Sequence, residues 1–564
     1  MNKMLIAEPP ENATLAVTLA PEALATLRAI VGERYVETVA QTREFHSRAC
    51  IPETTTCAAV VHPGSTDELR RIVVAAAHYK LRLWTFGGGN NWGYGTKNAA
   101  ESGAVVLLLH RMNRILEVNE KLAYAVVEPG VTQQQLSEYL QEKHPKLWLD
   151  VNDATPRANV IGNGLERGYG CTTHGDHFAQ LCGLEVVLPD GELLRTGGPV
   201  PNNRSLHTHK WGCGPYLEGL FSQSNLGIVV KAGVWLLPKP ECFKMFTFAL
   251  NEEANLPEVV ERLRELALHK QVQSHTHMAN TLGMLSVVAP YPWSLLREGE
   301  TFLSDEVLAG LRRHYGVGAW MLAGGLYGTK AEVCLHKKAV IKKLGPLGRV
   351  QFFDARKAAW AVRYLRLHER FPEHPLLRIV ERVRRLVFPE HLAVLKTLPG
   401  EFNIHQGITD ECVTKMAYFK VHGPIPAENL DPARDGGGVI CHAPAVPATG
   451  KDTSEILNLV RPLFRKHGFD FFGCLTKMNE RTNFLLTLIY FDQRNPEEKA
   501  RAKRLFNELS EATDQAGFQS YRCGVMHYAS LSRRSPVWSR FVNELKQTVD
   551  PHGVMAPGRY GMGK

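Results

Sequence analysis

A strand that runs straight into Phe86-Gly87-Gly88-Gly89-Asn90-Asn91-Trp92-Gly93-Tyr94-Gly95 constrains this 564-residue chain more than any other feature. Consecutive glycines let the backbone approach a ligand closely and turn several N–H groups the same way, forming a nest for a pyrophosphate. GxGxxG spacing is absent, and Trp92-Gly93-Tyr94-Gly95 does not open a helix, so this is not a Rossmann fingerprint. No Gly-Lys-Ser/Thr closes the turn, which excludes a P-loop. A tight turn alone would use the same residues. Two further glycine-rich loops, Ile161-Gly162-Asn163-Gly164-Leu165-Glu166-Arg167-Gly168 and Ser224-Asn225-Leu226-Gly227-Ile228, favour one extended nucleotide-like ligand over separate turns.

The surrounding pattern predicts a mixed α+β architecture. Ser65 with Glu68 reads as a capping box opening a helix whose apolar stripe is Leu69, Ile72, Val73 and Ala76. Thr132 with Gln135 caps another, with Leu136, Tyr139 and Leu140 inward. Leu81–Phe86, Ala104–Leu109 and Leu122–Val127 read as strands. Leu184–Leu188 and Glu192–Thr196 read as a hairpin closed by Pro189-Asp190-Gly191. After Pro238 the texture turns longer-period and more helical, and glycine and proline return in a tail, Asp550–Arg559, that reads as docked. The expected units are 1–240, 241–507 and 508–564. His368–Val387 carries an arginine-rich apolar pattern, read as a solvated helix face interrupted by glutamates.

Charge and cysteine usage limit the partners. With 66 basic and 57 acidic residues the formal charge is +9, mild over this length and not gathered into a patch, so nucleic acid is not expected. Eleven cysteines form no CxxC pair and no zinc-ligand array, which predicts a reducing compartment and no metal. Met1–Pro10 is too short an apolar stretch for a signal peptide. The strongest apolar runs, Ala104–Leu109 and Phe484–Phe491, are strand-length, so the expectation is a cytoplasmic protein without a transmembrane segment.

Collinear motifs then resemble the vanillyl-alcohol oxidase / p-cresol methylhydroxylase family of flavoproteins. They are Leu83-Trp84 through Gly95, Met112–Asn119, Val127–Thr132, Leu147–Val151, Glu166-Arg167-Gly168 and Gly175-Asp176-His177. Glu185-Val186-Val187 to Gly197, Gly214-Pro215-Tyr216 to Val229, Tyr521-Arg522 and Ala556-Pro557-Gly558 complete the set. The match covers most of 55–240 and 505–560 and is thin between. The resemblance implies a PCMH-type FAD-binding domain, built from the N-terminal part plus the tail, under an α+β cap. It assigns Thr85, Phe86, Gly87, Gly88, Gly89, Asn90, Asn91, Asn152, Asn159, Gly162, Asn163, Glu166, Gly168, Gly227, Ile228 and Arg559 to FAD.

The family also implies a reaction: hydride transfer from the benzylic carbon of a para-substituted phenol to flavin N5, leaving a quinone methide. A neutral phenol is a poor hydride donor, and its pKa of about 10 keeps it neutral unless cationic and hydroxyl donors favour the phenolate. Tyr94, Tyr521 and Arg522 match the phenolate-binding trio, and Asp153 the acidic residue near N5. Packing aromatics, a surface arginine and a loop-capping aspartate are the alternatives for these types. Ala154-Thr155-Pro156-Arg157 departs from the family by replacing a glycine-rich run. Cys441, Cys474 and Asn483 match pocket-facing cap positions.

A second departure concerns attachment. Many members link FAD through a histidine or tyrosine, but Val439 holds that position. The cofactor is therefore expected to be non-covalent, with His442 or His46 as the alternative attachment or activating residue. The same fold acting on a non-phenolic alcohol, hydroxy acid or secondary metabolite is the competing reading, and a flavin-free binding protein the third. Oxygen or a cytochrome as acceptor, and a homo-oligomer, are further implications of the resemblance.

Overall fold

The computed structural model describes residues 18–563, except 96, 372–373, 376–379, 383, 385–387, 389 and 427. Near the N-terminus Ala59–Val61, Val105–Leu108 and Leu83–Phe86 pair in parallel, with Val36–Glu37 at the edge. Parallel strands need a crossover, and helix Thr66–His78 supplies it. Its stripe buries Leu69, Ile72, Val73 and Ala76, as the periodicity predicts. Ser65 accepts from the Glu68 amide, but the Glu68 carboxylate bonds the Gly64 amide at 2.7 Å, one residue before the cap.

A five-stranded antiparallel sheet follows, ordered Ile115–Asn119, Tyr124–Val127, Ile228–Trp235, Leu181–Val187, Leu193–Arg195. Its last pair is the expected hairpin: Glu185 faces Arg195, and Gly191 takes φ +84° while its amide donates to Leu188 O. Only a residue without Cβ adopts that conformation at no cost. In helix Gln133–Lys143, Leu136 and Leu140 point inward as expected. Tyr139 does not; at the edge of that stripe it stays 37% exposed, correcting the sequence reading.

The middle of the chain holds the largest sheet, which its helical texture concealed. Its eight strands include Gly348–Phe353, Cys242–Leu250, Trp320–Gly328, His277–Asn280, Cys474–Lys477, Thr482–Asp492 and Gly437–His442 in that order. Ala445–Pro447 pairs with Thr482–Asp492 as well. Side chains alternate across a strand. One face gives Phe246, Phe248, Trp320, Leu485, Ile489 and Phe491 to a core shared with helices Leu256–Leu268, Gly450–Lys466 and Pro496–Gln515. The other face carries Met245, Thr247, Met321, His277, Cys474, Phe484, Leu486, Leu488 and Tyr490, and lines a cavity.

The tail docks as its turn chemistry suggests. The Leu83 amide donates to Val554 O and the Ala556 amide to Leu83 O, both at 2.8 Å, extending the first sheet's strand Leu83–Phe86. Lys546, buried, donates to Asn225 O, Met555 O and Asp550 Oδ2 at 2.6–2.7 Å. Much of the arginine-rich stretch at 368–387 lies outside the described residues. Within it Arg384 is buried rather than solvated, and chelates Glu381 at 2.6 Å. No described helix is long and apolar enough to cross a membrane.

Burial makes the fold acid-sensitive. Desolvation pushes His275 and His442 down to about 3 and His405 to about 4. Between those values and the ordinary value near 6.5, the unfolded chain binds protons that the folded one refuses. Stability is therefore fully present above about 6.5 and is lost as pH falls below it. Thermal midpoints recorded from pH 8 to 4.5 should decline on the acid side, and a flat profile would contradict this.

Candidate active site

The cavity, of about 510 Å³, opens between the glycine-rich loops and the inner face of the large sheet. Along one side run Thr85, Phe86, Gly87, Gly88, Gly89, Asn90 and Asn91, then Asn152, Asn159, Gly162, Asn163, Glu166, Gly168, Gly227, Ile228 and Arg559. Every residue assigned to FAD in the sequence therefore meets on one wall. The turn is clamped from behind. Asn90 Nδ2 donates to Arg157 O and Asn159 Nδ2 to Gly130 O, each at 2.9 Å. A Cβ on Gly87 would stand 2.4 Å from Asn159 Oδ1, and one on Gly88 2.8 Å from Asn90 Nδ2. The expected outcome for Gly87→Ala is a purified protein with at least tenfold weaker FAD retention, read by flavin absorbance after dialysis; retention equal to wild type would contradict it.

Acidic and basic groups on this wall neutralise one another. Glu166 accepts from Arg559 and from the Tyr560 hydroxyl, and Arg522 lies 4.0 Å away. Burial alone would raise the Glu166 carboxyl, but Arg559 and Arg522 outweigh it and hold it below its ordinary value. Behind the loops, Asp150 Oδ2 meets His177 Nε2 at 2.7 Å and His177 Nδ1 meets Asn163 Oδ1 at 2.5 Å. Asn152 fixes the following loop by accepting from the Ala154 and Thr155 amides at 2.8 and 3.0 Å. Its first role is thus the Asx turn that presents Asp153.

At the far end Tyr94, Tyr521 and Arg522 come together. The Arg522 guanidinium sits over the Tyr94 ring at 4.7 Å, and Tyr521 stacks on Phe484 with centroids 4.4 Å apart. Burial raises both tyrosines' pKa, so their hydroxyls stay protonated. The Tyr94 hydroxyl and Arg522 Nε are buried with no hydrogen-bond partner among the described residues. Unsatisfied buried donors are rare and point to a ligand that supplies the acceptor. Arg559 Nε is another, on the cofactor wall. The cradle and these donors fit FAD and an anionic aromatic oxygen.

Asp153 lies on the same cavity, its Oδ2 3.7 Å from His277 Nδ1. Cys441 and Cys474 line it too, and burial pushes each thiol up to about 12, so both are wall groups rather than nucleophiles. Asn483 does not reach it. On strand Thr482–Asp492 it alternates with Phe484 and points to the helix side, among Val260, Leu263 and Lys477. Asn483→Ala should accordingly leave turnover within twofold of wild type, and a larger loss in steady-state rate would contradict that placement. His442 lies on that outer face as well, against Thr513 and Thr487, and His46 lies near His62 away from the cavity. Neither can serve as an attachment residue. Val439 does face the cavity.

Tyr169, His277, Thr476 and Glu401 also line the cavity, and sequence reasoning missed them. Tyr169 directly follows the glycine-rich loop ending at Gly168, whereas the other three stand on elements with no such signature. For His277, Thr476 and Glu401, only the fold brings them to the loops.

Residues 57–197 match the FAD binding domain family, and 433–560 the C-terminal domain of FAD-linked oxidases. The 1'-carboxy-chondrochloren decarboxylase of Chondromyces crocatus is 34% identical, over 95% of this chain and 96% of its own length. Substrate-bound p-cresol methylhydroxylase superposes with a TM-score of 0.83 at 27% identity, covering 96% of both chains. The 4-ethylphenol oxidase of Gulosibacter chungangensis, in its isoeugenol complex, gives 0.84 at 25% identity, covering 97% of this chain and 98% of its own. The chain belongs to the vanillyl-alcohol oxidase / p-cresol methylhydroxylase family. It is an FAD-linked oxidoreductase acting on CH or CH–OH groups. It has the PCMH-type FAD-binding fold, and it binds FAD non-covalently. Acid precipitation should leave all the yellow colour in the supernatant; flavin absorbance in the washed pellet would contradict it.

Proposed function

We propose that this flavoenzyme oxidises a para-substituted phenol, and that Tyr94, Tyr521 and Arg522 hold it as the phenolate. One observation carries the reading: two buried donors, Tyr94 OH and Arg522 Nε, have no acceptor among the described residues. The energetics are adequate. Half-ionising a phenol of pKa about 10 at neutral pH takes about 4 kcal/mol. Hydrogen bonds involving a charged group contribute about 1.5–3 kcal/mol each. Arg522 and the two tyrosines together therefore suffice, and no one of them does alone. When bound, FAD supplies the hydride acceptor.

The surrounding residues let Arg522 keep its charge despite burial. Its partners Tyr521, Glu166 and Tyr94 raise its pKa against the opposing effect of burial. Phe484 and Tyr169 flank Tyr521 and confine a flat ring. Asp153 holds or gives up a proton at the substituent. Anaerobic addition of 4-ethylphenol to the yellow protein should bleach the flavin within seconds. Glycolate or lactate bleaching it instead would overturn the phenol reading.

The relative named as a decarboxylase favours a second reading, in which the departing group is carbon dioxide. Among the described lining residues the only cations are Arg522 and Arg559, while Asp153 and Glu401 line the same cavity. A substrate carboxylate beside that acidic pair meets repulsion. We therefore favour a neutral substituent, with 4-alkylphenols expected to outpace 4-hydroxyphenylacetate at least tenfold in the rate of flavin bleaching. Faster bleaching by the acid, with release of carbon dioxide, would establish the second reading.

A further inference from the structure

One row of side chains crosses the cavity face of the large sheet. The strand register sets Phe484 opposite Thr476, Thr476 opposite His277, His277 opposite Ala323, Ala323 opposite Thr247, and Thr247 opposite Gln351. All six line the cavity. Neighbouring strands lie about 4.8 Å apart, so five steps carry the row about 24 Å along the sheet. The phenol site takes up only its first part. Tyr521 stacks on Phe484 at one end, and Asp153, which serves the substituent, stands 3.7 Å from His277, two strands on. Three more strands follow His277, a further reach of about 14 Å. None of the residues assigned to FAD stands on those strands.

Among the described lining residues, the walls beyond His277 are largely apolar. Val394 and Met284 pack with Met321, and Leu395 and Leu398 with Met245 and Phe353. Thioether side chains are unbranched and adaptable, which suits a flexible ligand. Ala323, the smallest side chain of the row, leaves room past strand Trp320–Gly328. At the far end Phe353 stacks on Phe388 with centroids 5.6 Å apart. The Glu390 carboxylate there is neutralised by Arg349 at 2.6 Å.

We propose that this arm of the cavity binds the far end of the para substituent, so that the substrates are phenols carrying a long, neutral, mainly apolar chain. The proposal rests on the phenol reading for the end that Arg522 holds. An extended chain advances about 1.2 Å per bond, a third of what three backbone bonds span. The arm accordingly takes about ten chain atoms beyond the reacting carbon. Thr247 offers its hydroxyl to a neutral polar group near the end of such a chain. Ala323 and Thr247 are the specificity-determining positions.

The test is anaerobic equilibrium dialysis of dithionite-reduced holoenzyme, which binds ligand without turning it over, against 4-ethylphenol, linear 4-octylphenol and branched 4-tert-octylphenol. Each buried methylene strengthens binding about threefold or more. The linear octyl compound should therefore bind at least a hundredfold tighter than 4-ethylphenol. It should also bind at least tenfold tighter than its branched isomer, which carries the same number of carbons but cannot thread the arm. Thr247→Trp, filling the arm two strands beyond His277, should cut the advantage of 4-octylphenol over 4-ethylphenol at least tenfold. Should that variant fail to hold FAD, Ala323→Leu takes its place, and the linear-against-branched comparison in wild type decides alone if both fail. Linear and branched chains binding alike, or a full octyl advantage in a folded variant, would overturn the proposal. The two readings fail separately. If neither 4-ethylphenol nor 4-octylphenol bleaches the oxidised flavin, phenol oxidation falls, and the dialysis still upholds or overturns the arm.

Discussion

Arg522→Met is expected to slow anaerobic flavin bleaching by 4-ethylphenol about a hundredfold, near 2.7 kcal/mol, while FAD stays bound. The size follows from the site. Removing one preorganised donor from an anion-stabilising site costs on the order of 10²–10³ in rate. Among the described residues Arg522 is also the only cation over the Tyr94 ring, at 4.7 Å. Cofactor retention follows from Glu166, whose direct partners are Arg559 and Tyr560, with Arg522 at the longer distance of 4.0 Å. The deficit has a pH signature. As pH climbs toward the phenol's own pKa of about 10, the substrate ionises unaided and the gap to wild type narrows. Arg522→Lys keeps the charge but loses the fork, and belongs between the two. A bleaching rate in Arg522→Met equal to wild type would remove the phenolate trio from the mechanism.

The second large effect lies in the tail. Lys546→Met is expected to cost about 3–5 kcal/mol, because it leaves the Asp550 carboxylate buried without its cation. Both residues are 2% exposed, and Asp550 additionally accepts from the Val554 and Met555 amides at 2.9 and 2.8 Å. The lost ammonium also strands the carbonyls of Asn225 and Met555. Asn225 sits beside Gly227, and Met555 bridges to Leu83, just before the glycine turn. Loosening this knot should therefore release FAD as well as lower the thermal midpoint. Lys546→Met/Asp550→Leu, which removes both charges, should recover part of the loss. A midpoint within a degree of wild type for Lys546→Met would show that the pair contributes nothing.

Legibility in the sequence followed the range of the physical signal. Ser65, Thr132 and Pro189-Asp190-Gly191 act on their own neighbours, and the structure has each cap and turn where the local chemistry puts it. The loop wall was readable because glycines and asparagines are needed wherever a backbone is approached closely. The middle sheet was not. Its strands bury both faces, one in the core and one on the cavity, so they lack the polar alternation that marks a half-exposed strand. Asn483 failed for a related reason: a position inferred from neighbours in sequence carries no information on which face of the strand it occupies. Glu401 had no local signature at all. Pro399, two residues before it inside helix Leu392–Ile404, argues against a helix there on sequence grounds.

The large sheet works as a partition with independent sides. Phe484, Leu486, Leu488 and Tyr490 shape the reaction chamber, while Leu485, Ile489 and Phe491, interleaved with them, hold the helices. Exchange at the even-numbered sites can remodel what the enzyme accepts without disturbing its framework. Deleting a single residue from that strand would swap the two roles at once.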